Sequence, residues 1–210
     1  MIVFDLDGTI LNSFRRHEVA MAQSLEQVGL SADLSTLKSF KRRGFSNLDW
    51  LKFNEFSTVD MHEIAVIWEE LIENEDLLAL DFVYDDVFEA LNSLNRQPLV
   101  LCTARKNVSG LHKQLVELGL SPYFQTVVQV LPGRGAGLRK AHALRGLKVF
   151  SFFGDTEDDL VAALEIGATP YMLSQGFRSE SFWIKSGHCT FRSLNDAVRA
   201  AINSGFETCI

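Results

Sequence analysis

Cysteine and proline are scarce: of 210 residues only three are cysteines, Cys102, Cys189 and Cys209, and four are prolines. An odd cysteine count without CxxC or zinc-type spacing argues against a disulfide framework and fits thiols kept reduced, as in the cytoplasm. No apolar run reaches the roughly 18 residues that a bilayer-crossing helix needs, and no basic segment followed by a cleavable apolar one is present. Neither a membrane anchor nor secretion is therefore expected. Positive charge is also in short supply. Twenty Lys and Arg against 27 Asp and Glu leave a net charge of −7, which opposes a polyanionic partner such as nucleic acid. The one compact basic cluster is Lys41-Arg42-Arg43. Repeats, low-complexity tracts and Pro/Gly-rich linkers are absent, so organisation is read from periodicity. Apolar residues are plentiful, at 47%, enough to fill the core of one domain or of a domain with a modest insertion.

Five short apolar runs read as buried strands: 2–6 (IVFDL), 98–102 (PLVLC), 126–130 (TVVQV), 147–153 (LKVFSFF) and 168–173 (ATPYML). Helical patterns lie between them. Val87, Leu91 and Leu94 share a face in 85–95, as do Val108, Leu111, Leu115 and Leu118 in 107–118. Continuous apolar strands alternating with helices predict a doubly wound parallel sheet covered on both sides. From about Asn12 to Asp81 the strand signal vanishes, and Val19, Leu25 and Val28, then Ile64, Ile67, Trp68 and Leu71, mark helices only. The expected organisation is an α/β domain formed by residues 1–12 and 82–210, with an all-helical insertion at 13–81.

In an open parallel sheet, ligands bind beyond the carboxyl ends of the strands. The first strand ends in Asp5-Leu6-Asp7-Gly8-Thr9. A calcium loop of the EF-hand type would need a Glu at its twelfth position, where Arg16 stands. A polar turn with Thr9 as a cap is the plain alternative. Other strand ends carry matching chemistry, however. The second ends in Cys102-Thr103-Ala104-Arg105, offering a hydroxyl and fresh backbone N–H groups to an anionic oxygen. The fourth ends in Gly154-Asp155-Thr156-Glu157-Asp158-Asp159. Four crowded acids exceed what helix capping accounts for and repel one another unless a cation is present. Oxygen ligands without a nearby His or Cys pair favour Mg²⁺ over zinc.

These pieces, in this order, resemble the haloacid dehalogenase-like hydrolases, in the branch with a helical cap after the first motif. FDLDGTILNS resembles the family's first motif, LVLCTAR its second, Lys140 in GLRKAHAL its third and GDTEDDL its fourth. Gly176-Phe177-Arg178 and the closing TFRSLNDAVRAAI are similar to the last loop and helix of phosphoglycolate phosphatase-like members. The resemblance implies a Rossmann-like core with an inserted cap, and a Mg²⁺-dependent phosphatase of a small phosphorylated metabolite, phosphoglycolate-like or a sugar phosphate. Asp5 would take the phosphoryl group. Asp7 would be its general acid and base; members that displace halide lack this second Asp. Mg²⁺ would be held by Asp5, the Asp7 carbonyl, Asp155 and Asp159, the last chosen over Asp158 by spacing. Thr103 and Lys140 would hold the non-bridging oxygens, helped by backbone N–H groups near Leu6 and Ala104. A phosphomutase of the same fold and a non-catalytic binding module are the alternatives, the latter without its usual mark, since no motif carboxylate is missing.

Several assignments stay open at this level. Arg139 stands beside Lys140 and has the chemistry to replace it. The segment Pro132-Gly133-Arg134-Gly135-Ala136-Gly137 reads as a loop delivering Lys140, with a phosphate-cradling nest as the alternative. In the insertion, Lys41-Arg42-Arg43-Gly44 reads either as a solvated helix end capped by Gly44 or as a cation loop whose Arg42 or Arg43, or Lys41, meets an anionic leaving group. An imine-forming role for Lys41 is a remoter alternative. His17 and His62 are expected at the surface.

Overall fold

The computed structural model describes residues 1–94 and 96–205; Cys209 lies outside the described residues. The strands are β1 (Ile2–Phe4), β2 (Leu11–Asn12), β3 (Phe82–Val83), β4 (Leu99–Ala104), β5 (Thr126–Val130), β6 (Ser151–Gly154) and β7 (Thr169–Met172). Five form one parallel sheet in the order β5-β4-β1-β6-β7. Successive residues of the central strands point to opposite sides, as the two-residue period requires. Ile2, Phe4, Leu99, Leu101 and Phe153 face one core. Its helices are α6 (Val87–Ser93), α7 (Val108–Glu117) and α11 (Leu194–Asn203). Val3, Val100, Cys102 and Phe152 face the other, beneath α8 (Ala136–Ala143) and α9 (Glu157–Glu165). On the first face Phe4, Phe153 and Tyr171 stack in a row, with centroids 4.8 and 4.9 Å apart. The doubly wound α/β reading holds.

Between β2 and β3 the chain is helical: α1 (Phe14–Gln27), α2 (Leu37–Arg42), α3 (Asn47–Phe53), α4 (Thr58–Leu71) and α5 (Glu75–Leu78), with one 3₁₀ turn at Leu34–Thr36. These helices enclose a core of their own, centred on Met21, Leu25, Leu37, Trp50, Leu51 and Ile64. The antiparallel β2–β3 ribbon, too short to register as a strand pattern, brackets them. The short α10 (Glu180–Lys185) completes the set.

Two details depart from the periodicity. Strand β1 stops at Phe4 and not at Leu6: the Asp5 N–H still donates to Phe153 O at 2.9 Å, and the chain then turns, Leu6 O accepting from Ile10 and Leu11. Val108 is 58% exposed, so it does not share the buried stripe of α7. That stripe runs through Gly110, Leu111, Gln114 and Leu115, turned toward Gln114 because its amide is drawn into a buried polar network. Cys102 is buried and Cys189 exposed, both free thiols. No helix among the described residues is long and apolar enough to cross a membrane.

Candidate active site

Asp5, Thr103 and Asp155 stand at or just past the carboxyl ends of β1, β4 and β6, the three adjacent central strands. Asp159 joins them from the first turn of α9. Asp5, Asp155 and Asp159 are all buried, and each offers a carboxylate oxygen within 4.8 Å of the others. Lys140, 3% exposed, reaches in from α8: its Nζ donates to Asp5 Oδ1 at 2.5 Å and to Asp159 Oδ1 at 2.6 Å. One ammonium therefore pairs with two of the three carboxylates. Burial and the neighbouring Asp159 push Asp5 up to about 7 against the pull of Lys140, while burial, Asp159 and Asp5 push Asp155 well above the usual range. Burial would lower Lys140, but Asp159 and Asp5 outweigh it and hold its ammonium above the ordinary value. Three oxygen donors with one cation to balance them fit a hard divalent ion such as Mg²⁺.

Backbone shape makes this crowding possible. Gly8, at φ 84, and Gly176 both lie flush against Asp155: a Cβ on either would sit 2.2 Å from its Oδ2. Asp155 Oδ2 accepts the Phe177 N–H at 2.5 Å, and Thr9 Oγ1 stands 3.4 Å from Oδ1. Asp159 is held on both sides, since its Oδ2 accepts Thr156 Oγ1 at 2.7 Å and the Thr156 N–H at 3.0 Å in a capping box. Asp158 points elsewhere, accepting the Gly137 N–H at 2.8 Å and so joining α8 to α9. Arg139 is likewise engaged away from the carboxylates, its guanidinium donating to the carbonyls of Leu131, Pro132, Gly133 and Arg134. It staples the glycine-rich loop from which Lys140 is delivered.

Asp7, two residues after Asp5, has a different environment. Arg105 Nε and Nη2 donate to its two oxygens at 2.8 and 2.6 Å, and Arg16 Nη2 adds a third contact. Burial would raise this carboxyl, but the Arg105 and Arg16 guanidiniums outweigh it and hold it well below the ordinary range. Both arginines are 2% exposed and continue to Asp81, which also accepts from Gln114. Neither had been singled out for this role. Arg105 directly follows the strand-end Thr103-Ala104, a placement that offered the signal; Arg16 offered none.

A cavity of about 450 Å³ opens over these groups. Asp5, Asp7, Thr103, Ala104 and Lys140 line its floor, and Arg16, His17, Trp68, Ile72 and Phe177 are among its walls. Leu6 is not in the lining; its side chain packs in the core and its carbonyl accepts from Ile10 and Leu11. His17 corrects the expected surface position: its ring lies 4.7 Å from Phe177 and 5.4 Å from Trp68, whereas His62 is exposed.

Arg42 and Arg43, expected to meet the substrate, do not line the cavity. Arg42 donates to the backbone carbonyls of Ser174, Gln175 and Gly176. Arg43 is exposed, stacks on Phe40 and Phe45, and donates to Ser39 O as α2 ends ahead of Gly44. The helix-end reading describes Arg43, whereas Arg42 fastens the end of α2 to the loop at 174–176. Lys41 is placed otherwise: its Nζ lies 5.8 Å from the Trp68 ring and 5.4 Å from that of Phe177, with no carboxylate within 4.0 Å among the described residues. Burial, then Arg178 and Arg16, bring it down to about 7.

Known proteins agree with this architecture. A phosphoglycolate phosphatase of Cereibacter sphaeroides is 28% identical over 188 residues, covering 84% of this chain and 86% of its own. Among solved structures, a predicted phosphatase from Clostridium acetobutylicum superposes with a TM-score of 0.75 at 21% identity, covering 96% of this chain and 97% of its own. Mycobacterium tuberculosis Protein Tyrosine Kinase A does so at 0.74 and 19%, with 96% of each chain covered, so likeness at this level speaks for the fold. The family model for haloacid dehalogenase-like hydrolases matches residues 1–167, the span that carries Asp5, Thr103, Lys140 and Asp155, and the chain belongs to that family.

Proposed function

We propose that this chain is a Mg²⁺-dependent phosphatase of a small phosphorylated metabolite, working through an aspartyl phosphate on Asp5. The observation that carries this reading is the Lys140 ammonium seated between Asp5 and Asp159, with Asp155 completing the buried triad and Asp7 two residues along. Asp5, the Asp7 carbonyl, Asp155 and Asp159 would hold the ion. When bound, it would screen the charge of nucleophile and phosphate and orient the phosphoryl oxygens. An Asp5 oxygen attacks phosphorus, and the alcohol oxygen departs with a proton from Asp7. Asp7 then takes a proton from water, whose oxygen attacks phosphorus and frees Asp5. Thr103, the Ala104 N–H and Lys140 hold the non-bridging oxygens. Residues 13–81 serve as the cap that excludes water from the site, on an enzyme of the reducing cytoplasm.

Phosphoglycolate-like acids and sugar phosphates are the substrate classes we favour, and a cavity of about 450 Å³ leaves ample room around a two-carbon acid. Of the three cap cations Lys41 is the one we favour for an anionic leaving group: it is absent from the cavity lining, as Arg42 and Arg43 are, but its Nζ lies near Trp68 and Phe177, which do line it, while Arg42 and Arg43 are spent elsewhere. The test is phosphate release from a panel of phosphorylated metabolites with and without Mg²⁺, alongside Asp5→Asn checked for deamidation. Turnover should require Mg²⁺ and vanish in the variant. Retention of a tenth of wild-type activity by Asp5→Asn would overturn the covalent route, and stimulation by a bisphosphate without net phosphate release would assign a mutase instead.

A further inference from the structure

Arg42 belongs to the helical insertion, yet among the described residues the hydrogen bonds of its guanidinium all go to the α/β domain. Nη2 donates to Ser174 O at 2.8 Å, and Nη1 to Gly176 O at 2.7 Å and Gln175 O at 3.2 Å, three successive carbonyls of one loop. The seam continues on the backbone. Arg42 O accepts the Ser179 N–H at 2.9 Å, and Lys41 O accepts Arg178 Nη1 at 2.9 Å. No carboxylate lies within 4.0 Å of Arg42 among the described residues, so its donors are committed to this loop. A planar fork reaching three carbonyls fixes their relative orientation in a way a single point charge does not.

The loop held this way also holds Asp155. The next residue, Phe177, supplies the 2.5 Å N–H contact to Asp155 Oδ2, the shortest donor contact that carboxylate has. Gly176 is pressed against the same oxygen, closely enough to exclude any side chain. The path from insertion to triad is therefore short and made of named contacts: Arg42, the 174–176 carbonyls, the Phe177 N–H, Asp155. Groups that orient a metal-binding carboxylate tune its affinity as well as its geometry.

We propose that Arg42 is a positioning residue that couples seating of the helical insertion to the orientation of Asp155, and so to metal affinity. This inference rests on the reading of Asp155 as a metal carboxylate. Coupling of this kind is reciprocal: whatever the seated insertion adds to metal affinity, bound metal returns as tighter seating.

The experiment titrates Mg²⁺ into the full chain by calorimetry without substrate, and follows amide hydrogen exchange of 174–179. Arg42→Met keeps the aliphatic stem and removes the donors; Arg42→Lys keeps the charge; Arg43→Met changes an exposed neighbour with no contact to the loop. Arg42→Met should weaken Mg²⁺ binding about tenfold, the lower end of what loss of an outer partner costs a metal site. Arg42→Lys should fall between it and wild type, and Arg43→Met should match wild type. Mg²⁺ should slow exchange at 174–179 in wild type and much less in Arg42→Met. Activity of Arg42→Met should recover as Mg²⁺ is raised, whereas loss of a substrate contact would leave KM elevated at every Mg²⁺ concentration. Wild-type Mg²⁺ affinity in Arg42→Met, or equal weakening in Arg43→Met, overturns the coupling. Should Arg42→Met fail to melt cooperatively, wild-type affinity and exchange in Arg42→Lys would overturn it. Asp155→Asn separates the premises: undiminished Mg²⁺ binding there would refute the metal reading itself.

Discussion

Lys140 pairs with two of the three buried carboxylates, Asp5 and Asp159, and its removal should show directly in stability and turnover. In Lys140→Met the 2.5 Å contact to Asp5 and the 2.6 Å contact to Asp159 disappear, leaving Asp5 buried without its cation and Asp159 with only the neutral donors of Thr156 and Asp155 on its Oδ2. Breaking a buried pair from one side costs about 3–5 kcal/mol. For a chain of this size each kcal/mol shifts Tm by about 2–4 °C, so metal-free Lys140→Met should melt about 6–20 °C below wild type. The sign of the pH dependence follows from Asp5, already pushed up to about 7 with Lys140 in place. Without Lys140 its folded-state value rises further, while in the unfolded chain it returns to the ordinary carboxylate value near 4. Across that window the folded state binds a proton that the unfolded state does not, so stability falls as pH rises. The deficit should therefore be larger at pH 8 than at pH 5, and excess Mg²⁺ should narrow it at pH 8. Scanning calorimetry in chelator and in Mg²⁺, at both pH values, measures all four conditions. Turnover should fall roughly 10²–10³-fold, as when one donor to a developing anion is removed. A metal-free variant within about 2 °C of wild type at pH 8 would refute the charge argument, because that shift corresponds to under about 1 kcal/mol.

Two further outcomes probe the acid–base residue and the cap cation. Asp7→Asn should slow hydrolysis of an alkyl phosphate by roughly 10²–10⁴-fold, but slow the phosphorylation step with p-nitrophenyl phosphate much less, because that leaving group needs little protonation; equal single-turnover losses would make Asp7 structural. Lys41, about 7 in the fold, regains its ordinary value near 10.5 on unfolding, so the unfolded state binds the extra proton between these limits and stability rises with pH through that window. Lys41→Met should flatten that rise in thermal melts from pH 7 to 10, and parallel curves for the two proteins would refute a desolvated Lys41.

What was legible in the sequence was local. The central strands show as apolar runs because both faces of the sheet are covered, and Asp5, Asp155 and Thr103 show because a strand end is a local event. Lys140 was harder, since a lysine in a polar segment is ordinary; choosing it over Arg139 required knowing that Arg139 is consumed by four carbonyls of its own loop. Distance along the chain hid two of the others, whereas Arg43 meets only near neighbours. Arg42 finds its partners more than 130 positions away, and Arg105 meets Asp7 across 98. Nothing in the composition around Lys41-Arg42-Arg43 distinguishes a cation set near aromatic rings from one that fastens two parts of the chain. The geometry separates these neighbours into three fates.

Asp5 and Asp7, two residues apart, lie in opposed environments. Environments that push paired acids apart usually sort them into roles, yet the free protein sorts these two against theirs. Asp5, the proposed nucleophile, is drawn toward its protonated form, and Asp7, the proposed general acid, is held ionised. A cation at the triad reverses the first, because it favours the Asp5 carboxylate directly. Reversing the second requires a guanidinium to leave Asp7, since both its oxygens accept from Arg105 and one also from Arg16. An incoming phosphoryl group is an anion that competes for those donors, and both arginines line the cavity that receives it. On this reading, substrate entry itself frees Asp7 to carry a proton. Under the proposed mechanism the arginines would keep Asp7 from acting as an acid until a phosphate is in place.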